Sequence, residues 1–77
     1  MRYLHTMVRV TDIDASLNFY CNLLGLKEMR RIDRPEHKYS LVFVAAEQTP
    51  DAEIELTYNH DPEEYAGGRN FGHLAFR

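Results

Sequence analysis

Three side chains that commonly bind transition metals fall on the polar faces of predicted strands. They are His5, Glu55 and His73. Imidazole and carboxylate ligands together suit Zn2+, Ni2+ or Fe2+, and strands fix the geometry of such ligands better than loops do. The spacing matches no local zinc motif, so three unrelated surface residues are the alternative interpretation at this point.

Two further polar residues share strand faces with these candidates. Arg9 lies four residues after His5, and Asn59 lies four residues after Glu55. A basic residue and an amide beside a metal would suit an anionic substrate that carries a carboxylate. The alternative is that Arg9 is a solvated strand residue and that Asn59 belongs to the turn that ends its strand.

The remaining candidates favour structural interpretations. Cys21 lies beside the apolar stripe of the predicted helix, which indicates a buried, inert thiol rather than a nucleophile. His37 and His60 flank predicted turns, and we expect both to be exposed.

The elements that must position these residues begin with a strand over residues 3–10, where apolar and polar side chains alternate. A helix follows and ends at Gly25. Asp14 is preferred over Asp12 as its N-cap, because Ile13 could then act as a hydrophobic staple. The helical spacing predicts a buried stripe of four residues, namely Ile13, Leu17, Tyr20 and Leu24.

The rest of the chain reads as four more strands and a connection. Residues 27–33 form a charged edge strand, 39–46 a central strand that is apolar on both faces, and 52–59 an alternating strand. Residues 60–70 form a loop, and 71–77 form a final strand that carries four residues on one side, Phe71, His73, Ala75 and Arg77. The predicted fold class is therefore α+β, in the order βαβββ followed by one more strand.

Composition limits the possible partners. The chain has 77 residues and a net charge of −3, with no run of lysine or arginine, so we expect neither nucleic acid nor an anionic membrane as a partner. The single cysteine excludes an intramolecular disulfide and favours a reducing, cytoplasmic compartment. Because the sequence stops at Arg77 directly after an apolar run, we expect it to be part of a longer protein.

Four segments together resemble the bacterial glyoxalase I family of lactoylglutathione lyases. They are residues 4–10 (LHTMVRV), 16–26 (SLNFYCNLLGL), 54–59 (IELTYN) and 71–76 (FGHLAF). The resemblance implies the vicinal-oxygen-chelate architecture of the glyoxalase/bleomycin-resistance/dioxygenase type, in which βαβββ modules pair around a metal. Residues 1–59 would form the first module, 60–70 a connecting loop, and 71–77 the first strand of the second module, in one incomplete domain.

The resemblance also implies roles for individual residues. His5, Glu55 and His73 match three of the family's four metal ligands, and Glu55 is also a candidate acid/base. Arg9 and Asn59 match residues that hold glutathione, and Arg69 stands where some relatives have another glutathione-binding arginine. Histidine at position 5 favours Ni2+, with Zn2+ or Co2+ as alternatives.

The implied reaction is conversion of the methylglyoxal–glutathione hemithioacetal to S-lactoylglutathione. The family's fourth ligand, a glutamate that is its favoured base, lies in the second module, beyond this sequence. The resemblance further implies a homodimer in which each metal takes ligands from both subunits. Two alternatives within the superfamily are an extradiol dioxygenase-like Fe2+ enzyme and a metal-free ligand-binding protein of the drug-resistance type.

Overall fold

Five strands form one mixed sheet in the computed structural model, which describes residues 1–60 and 69–77. The strands are β1 (Tyr3–Val10), β2 (Lys27–Arg34), β3 (Tyr39–Ala45), β4 (Glu53–Asn59) and β5 (Phe71–Phe76). A helical segment follows β1, and a short 3-10 turn, Pro35–His37, joins β2 to β3. The predicted α+β class and order of elements are confirmed.

The strand order is β2-β3-β4-β1-β5, so β1 lies between β4 and β5. The strands β1 and β4 run parallel, and every other neighbouring pair is antiparallel. The helical segment provides the crossover that parallel pairing requires. The predictions of an edge position for β2 and an interior position for β3 are confirmed, and the order brings β4, β1 and β5 side by side.

The helix begins two residues earlier than the sequence suggested. Helix α1 (Ile13–Leu17) has Asp12 as its N-cap, with an extended backbone and a side-chain oxygen that accepts a hydrogen bond from the backbone N–H of Ala15 at 3.0 Å. The prediction of Asp14 was wrong because Ile13 is already helical and therefore cannot precede the cap as a staple. Asp14 instead lies in the first turn, where a carboxylate complements the helix dipole.

Beyond α1, the helix widens into a π-helical segment, Asn18–Leu23. The backbone N–H of Leu24 donates to the carbonyl of Phe19, which is the five-residue spacing of a π turn. The wider turn rotates the end of the helix, so Leu24 is 57% exposed and its predicted place in the buried stripe was wrong. Gly25 has a φ of 83° and ends the segment as predicted.

The core lies between the helical segment and one face of the sheet, which we call the helix face. Three side chains from β3 and β4 are completely buried there, Val42, Val44 and Leu56. The partly buried residues that pack on them include the other members of the predicted stripe and their neighbours, namely Ile13, Leu17, Tyr20, Cys21 and Leu26. Because strand side chains alternate between faces, the residues between these core positions lie on the opposite face, which we call the site face.

The predicted connection over residues 60–70 falls largely on residues 61–68, which lie outside the described part of the chain. The described residues 69 and 70 form the turn that leads into β5. Within residues 1–60 and 69–77, no helix has the length and apolar character needed to cross a membrane.

Candidate metal centre

The register of three adjacent strands brings the predicted ligands to one place on the site face. Met7 of β1 pairs with Glu55 of β4 on one side and with His73 of β5 on the other. His5 lies two residues before Met7, so its side chain points to the same face. Residues that are separated by up to 68 positions in the sequence thereby become neighbours.

The donor atoms of the three residues are close enough to share one ion. Nε2 of His5 lies 3.1 Å from Oε1 of Glu55 and 3.0 Å from Nε2 of His73. One donor atom from each residue lies within 4.8 Å of the others. Atoms that bind a common ion at about 2.1 Å lie roughly 3 Å apart, so the two shortest separations have the size expected of a coordination sphere.

Hydrogen bonding alone does not account for this arrangement. A neutral imidazole offers either one hydrogen or one lone pair at Nε2. Nε2 of His5 can therefore form one linear hydrogen bond, with either Glu55 or His73, although it lies close to both. A cation between the three groups would use a lone pair from each of them at once.

The carboxylate of Glu55 is buried and oriented. Glu55 is 8% exposed, and Oε2 accepts a hydrogen bond of 3.1 Å from the hydroxyl of Thr57. This bond leaves Oε1 directed at His5. Thr57 has no role among the residues predicted from the sequence; the available signal was its position two residues after Glu55, which places it on the same face of β4.

Gly72 allows β5 to approach β1 closely enough to place His73. A Cβ atom at Gly72 would overlap Sδ and Cε of Met7 and would lie 2.7 Å from the Met7 carbonyl oxygen. The pairing also shifts here, from Met7 with His73 to Val8 with Phe71. This irregularity interrupts the strict alternation expected along the strand, so Phe71 does not simply continue the row of His73.

The proposed substrate-binding residues lie further along the same face. Arg9 donates through Nη1 to the carbonyls of Phe71 at 3.2 Å and Arg69 at 3.4 Å. Arg9 pairs with Thr57, and Asn59 lies two residues beyond Thr57 on β4. The structure therefore puts Arg9, Asn59 and the turn containing Arg69 at one end of the cluster of His5, Glu55 and His73.

The residues expected to be structural lie outside this cluster, although Cys21 is partly buried and not fully buried as the sequence predicted. Cys21 packs against the core, and burial, with a smaller contribution from the negative charge of Glu28, raises the pKa of its thiol, so it stays protonated at neutral pH. His37 and His60 are exposed. His60 lies 2.9 Å from the hydroxyl of Ser40, and His37 stacks on Tyr39.

The described geometry agrees with the result of a comparison with protein families. The family sequence model of the Glyoxalase/Bleomycin resistance protein/Dioxygenase superfamily matches residues 2–77. The chain belongs to this superfamily. The α+β module predicted from the sequence and seen in the structure is therefore the glyoxalase-type module.

Curated relatives narrow the resemblance within the superfamily. The chain is 51% identical to a lactoylglutathione lyase of Salmonella typhimurium over 76 residues, which are 97% of this chain and 56% of the relative. It is 49% identical to a lactoylglutathione lyase of Escherichia coli O157:H7 over the same shares. The chain spans about half the length of the curated relatives that it matches.

Solved structures show the same similarity. Glyoxalase I from Zea mays superposes with a TM-score of 0.75 at 34% identity, covering 83% of this chain and 23% of the maize chain. The trypanothione-dependent glyoxalase I of Leishmania major superposes with a TM-score of 0.75 at 41% identity, covering 88% and 51%. Methylmalonyl-CoA epimerase from Mycobacterium tuberculosis has a TM-score of 0.76 at 18% identity, which shows a shared fold alone.

Replacing Gly72 should disturb both stability and the ligand cluster. We expect Gly72→Ala to lower the free energy of unfolding by about 1 to 3 kcal/mol, the usual cost of overpacking, and to weaken binding of a divalent metal by the cluster because His73 moves with β5. Gly25→Ala is the matched control: it strains a positive φ but meets open space, so it should cost stability and leave the affinity for a divalent metal unchanged. Urea unfolding and calorimetric titration measure both quantities, and wild-type values for Gly72→Ala would contradict the close approach.

Proposed function

We propose that this chain supplies the first module, and part of the active site, of a glyoxalase I. This enzyme isomerises the hemithioacetal of methylglyoxal and glutathione to S-lactoylglutathione and thereby detoxifies methylglyoxal. The convergence of His5, Glu55 and His73 on the site face is the observation that carries the proposal. The similarity of the chain to lactoylglutathione lyases over nearly all of its length supports the proposal.

We infer the same division of the chain as the sequence suggested. Residues 1–59 are the first module, 60–70 the connection, and 71–77 the first strand of a second module, which would contribute the fourth ligand. The active form is a homodimer whose sites are shared between subunits. The half-exposed apolar side chains of the edge strand β5 support this, because such an edge is suited to further packing; they are Phe71, Leu74 and Phe76.

The cluster fits a divalent cation of the first transition row, and we favour Ni2+ over Zn2+ and Co2+. Two imidazole nitrogens and one carboxylate oxygen match the ligand preferences of all three ions, so the donor set alone does not select among them. When bound, such an ion stabilises negative charge that develops on the substrate oxygens as a proton leaves carbon.

The protein's own contribution to the proton transfer centres on Glu55. The Thr57 hydroxyl holds Oε2, so the carboxylate keeps one orientation while Oε1 remains available at the cluster. In this position Oε1 serves first as a ligand and second as a group that accepts or returns a proton between adjacent carbons. The principal base would be the fourth ligand, the glutamate of the second module.

Substrate orientation is assigned to the polar end of the site face. The guanidinium of Arg9 suits the carboxylate of the glutathione tail, and Asn59 offers both a donor and an acceptor. Arg69, in the turn that Arg9 contacts, is a further candidate for the same tail. Binding of the tail holds the reacting carbons near Glu55, which contributes orientation rather than chemistry. We place the reaction in the cytoplasm, where glutathione keeps thiols such as Cys21 reduced.

One observation favours a second candidate function. Two histidines and one carboxylate are also the Fe2+-binding set of non-haem oxygenases, which includes extradiol dioxygenase-like enzymes. Arg9 and Asn59 favour the lyase, because a charged tripeptide can use both and a flat catechol uses neither.

Metal titration combined with turnover tests the proposed function. We expect the full-length enzyme, with its second module, to bind Ni2+, and His5→Ala and Glu55→Gln each to weaken binding by more than about 100-fold, beyond the effect of outer-shell partners. The same variants should abolish formation of S-lactoylglutathione. His37→Ala, which removes an exposed histidine outside the cluster, should leave affinity and turnover unchanged.

The other outcomes separate the alternatives. Cleavage of a catechol with Fe2+, and no reaction with the hemithioacetal, would favour the dioxygenase. Failure of the wild-type protein to bind Ni2+, Zn2+ or Co2+ under reducing conditions would indicate a metal-free binding protein and reject the lyase.

Loss of the Arg9 guanidinium should weaken binding of the substrate more than it slows its conversion. We expect Arg9→Met to raise KM by about tenfold or more with little change in kcat, because a charge-assisted hydrogen bond to a remote part of the substrate is lost. Arg9→Lys keeps the positive charge, so its KM should lie between those of the wild type and Arg9→Met. Kinetics at saturating Ni2+ give both constants; an unchanged KM in Arg9→Met would remove Arg9 from the substrate site.

A further inference from the structure

A bulge in β2 turns Arg30 towards the ligand cluster. Glu28 pairs with Val44 on the helix face, and a regular strand would keep Arg30 on that face as well. The register shifts at Met29, however, so Arg30 pairs with Phe43 on the site face. Bulges are common next to active sites, where they redirect a side chain.

The guanidinium of Arg30 covers a buried aromatic ring. Its central carbon lies 3.7 Å from the centroid of the Phe43 ring, well within the range of a cation–π contact. Phe43 is 3% exposed, although it lies on the face opposite the helix. Arg30 therefore helps to keep this ring out of water and limits its movement.

Phe43 in turn meets a proposed metal ligand. Its ring packs against the imidazole of His5 in an edge arrangement, with centroids 5.8 Å apart and planes at 78°. The rings of His5 and His73 are also in contact, with centroids 5.1 Å apart. His5 thus lies among Phe43, His73 and Glu55, and Phe43 is the member of that set with no atom that binds a metal.

Arg30 is itself held in place. Its Nη2 lies 3.1 Å from Oε1 of Glu53, and its Nε lies 3.4 Å from Oε2 of the same carboxylate. Glu53 is the register partner of His5 on the neighbouring strand. The guanidinium of Arg30 therefore contacts both Glu53, on the strand next to His5, and Phe43, whose ring packs against the His5 side chain.

We propose that Arg30 is a positioning residue for the metal site: held by Glu53, it fixes Phe43 against His5 and so keeps Nε2 of His5 directed at the ion. This proposal rests on the proposed metal-binding function of His5, Glu55 and His73. Packing of the Phe43 ring against the His5 imidazole matters for affinity, because a metal ligand must be held within a few tenths of an ångström to bind well.

Electrostatics and positioning predict opposite changes in metal affinity when Arg30 is removed, which makes the proposal testable. Removing a positive charge near a cation site, and leaving Glu53 negative beside it, should by charge alone strengthen metal binding. If Arg30 acts by positioning, its removal should weaken binding instead.

The experiment is calorimetric titration of the purified protein with Ni2+, for the wild type and for Arg30→Met. We expect Arg30→Met to bind Ni2+ about tenfold more weakly, the lower end of the effect of outer-shell partners. The matched control is Arg31→Met: Arg31 pairs with Val42 on the helix face and also forms an ion pair, with Glu28 at 3.4 Å. This variant should bind Ni2+ as the wild type does.

A spectroscopic readout distinguishes positioning from a general loss of structure. The visible absorption of the Co2+-loaded protein reports ligand geometry, and we expect it to change in Arg30→Met and not in Arg31→Met. Arg30→Lys should recover part of the affinity, because lysine keeps the cation over the ring but lacks the fork that holds Glu53.

Phe43→Leu keeps the position apolar and tests the same chain of contacts if Arg30→Met fails to fold; it should also weaken Ni2+ binding. Unchanged or tighter binding in folded Arg30→Met or Phe43→Leu overturns the proposal while leaving the metal site intact. Absence of binding in the wild type rejects the metal site itself and the proposal with it.

Discussion

The pairing of β1 with β4 on one side and with β5 on the other determines where His5, Glu55 and His73 lie. It brings an imidazole, a carboxylate and a second imidazole onto one face of the sheet within a few ångströms. Because side chains alternate along a strand, a slip of one residue in either pairing would send a ligand to the helix face. The buried residues of the helix face, Val42, Val44 and Leu56, therefore fix the site indirectly by fixing the register.

The same constraint explains why polar side chains are buried on the site face. Glu55 is removed from water by its neighbours, and an isolated carboxylate in such a place would be costly. Thr57 and His5 each compensate part of that cost, and a cation would compensate the remainder. The cluster is thus arranged around positive charge at the point where the donor atoms meet.

Alternation was sufficient to predict most of the sheet and the strand faces on which His5 and Glu55 lie. The strand containing His5 and the strand containing Glu55 each show a clear period of two, so their polar faces could be read directly. The expectation that the polar faces of these two strands meet at one site came from the family resemblance, because pairing between distant strands leaves no local signal in the sequence. The N-cap and the exposure of Leu24 were mispredicted, since a π turn and a two-residue shift of the helix start depend on packing rather than on local pattern.

The contacts behind the ligands were beyond prediction for a related reason. Arg30 reaches Phe43 through a bulge at Met29, and nothing in the charged sequence of β2 marks that position. Gly72 lies in one of the segments that carry the family resemblance, but the physical reason for a glycine there is tertiary, because Met7 occupies the space that a side chain would need. Both features concern close approach between strands, which a single sequence does not encode locally.

X-ray absorption of the Ni2+-loaded protein reports the atoms that bind the ion and therefore tests whether His5, Glu55 and His73 share one metal. We expect nitrogen and oxygen ligands at about 2.1 Å with outer-shell scattering from two imidazole rings, and loss of one ring in His5→Ala and of one ring in His73→Ala. A spectrum with no imidazole scattering, or one unchanged by both substitutions, would contradict it.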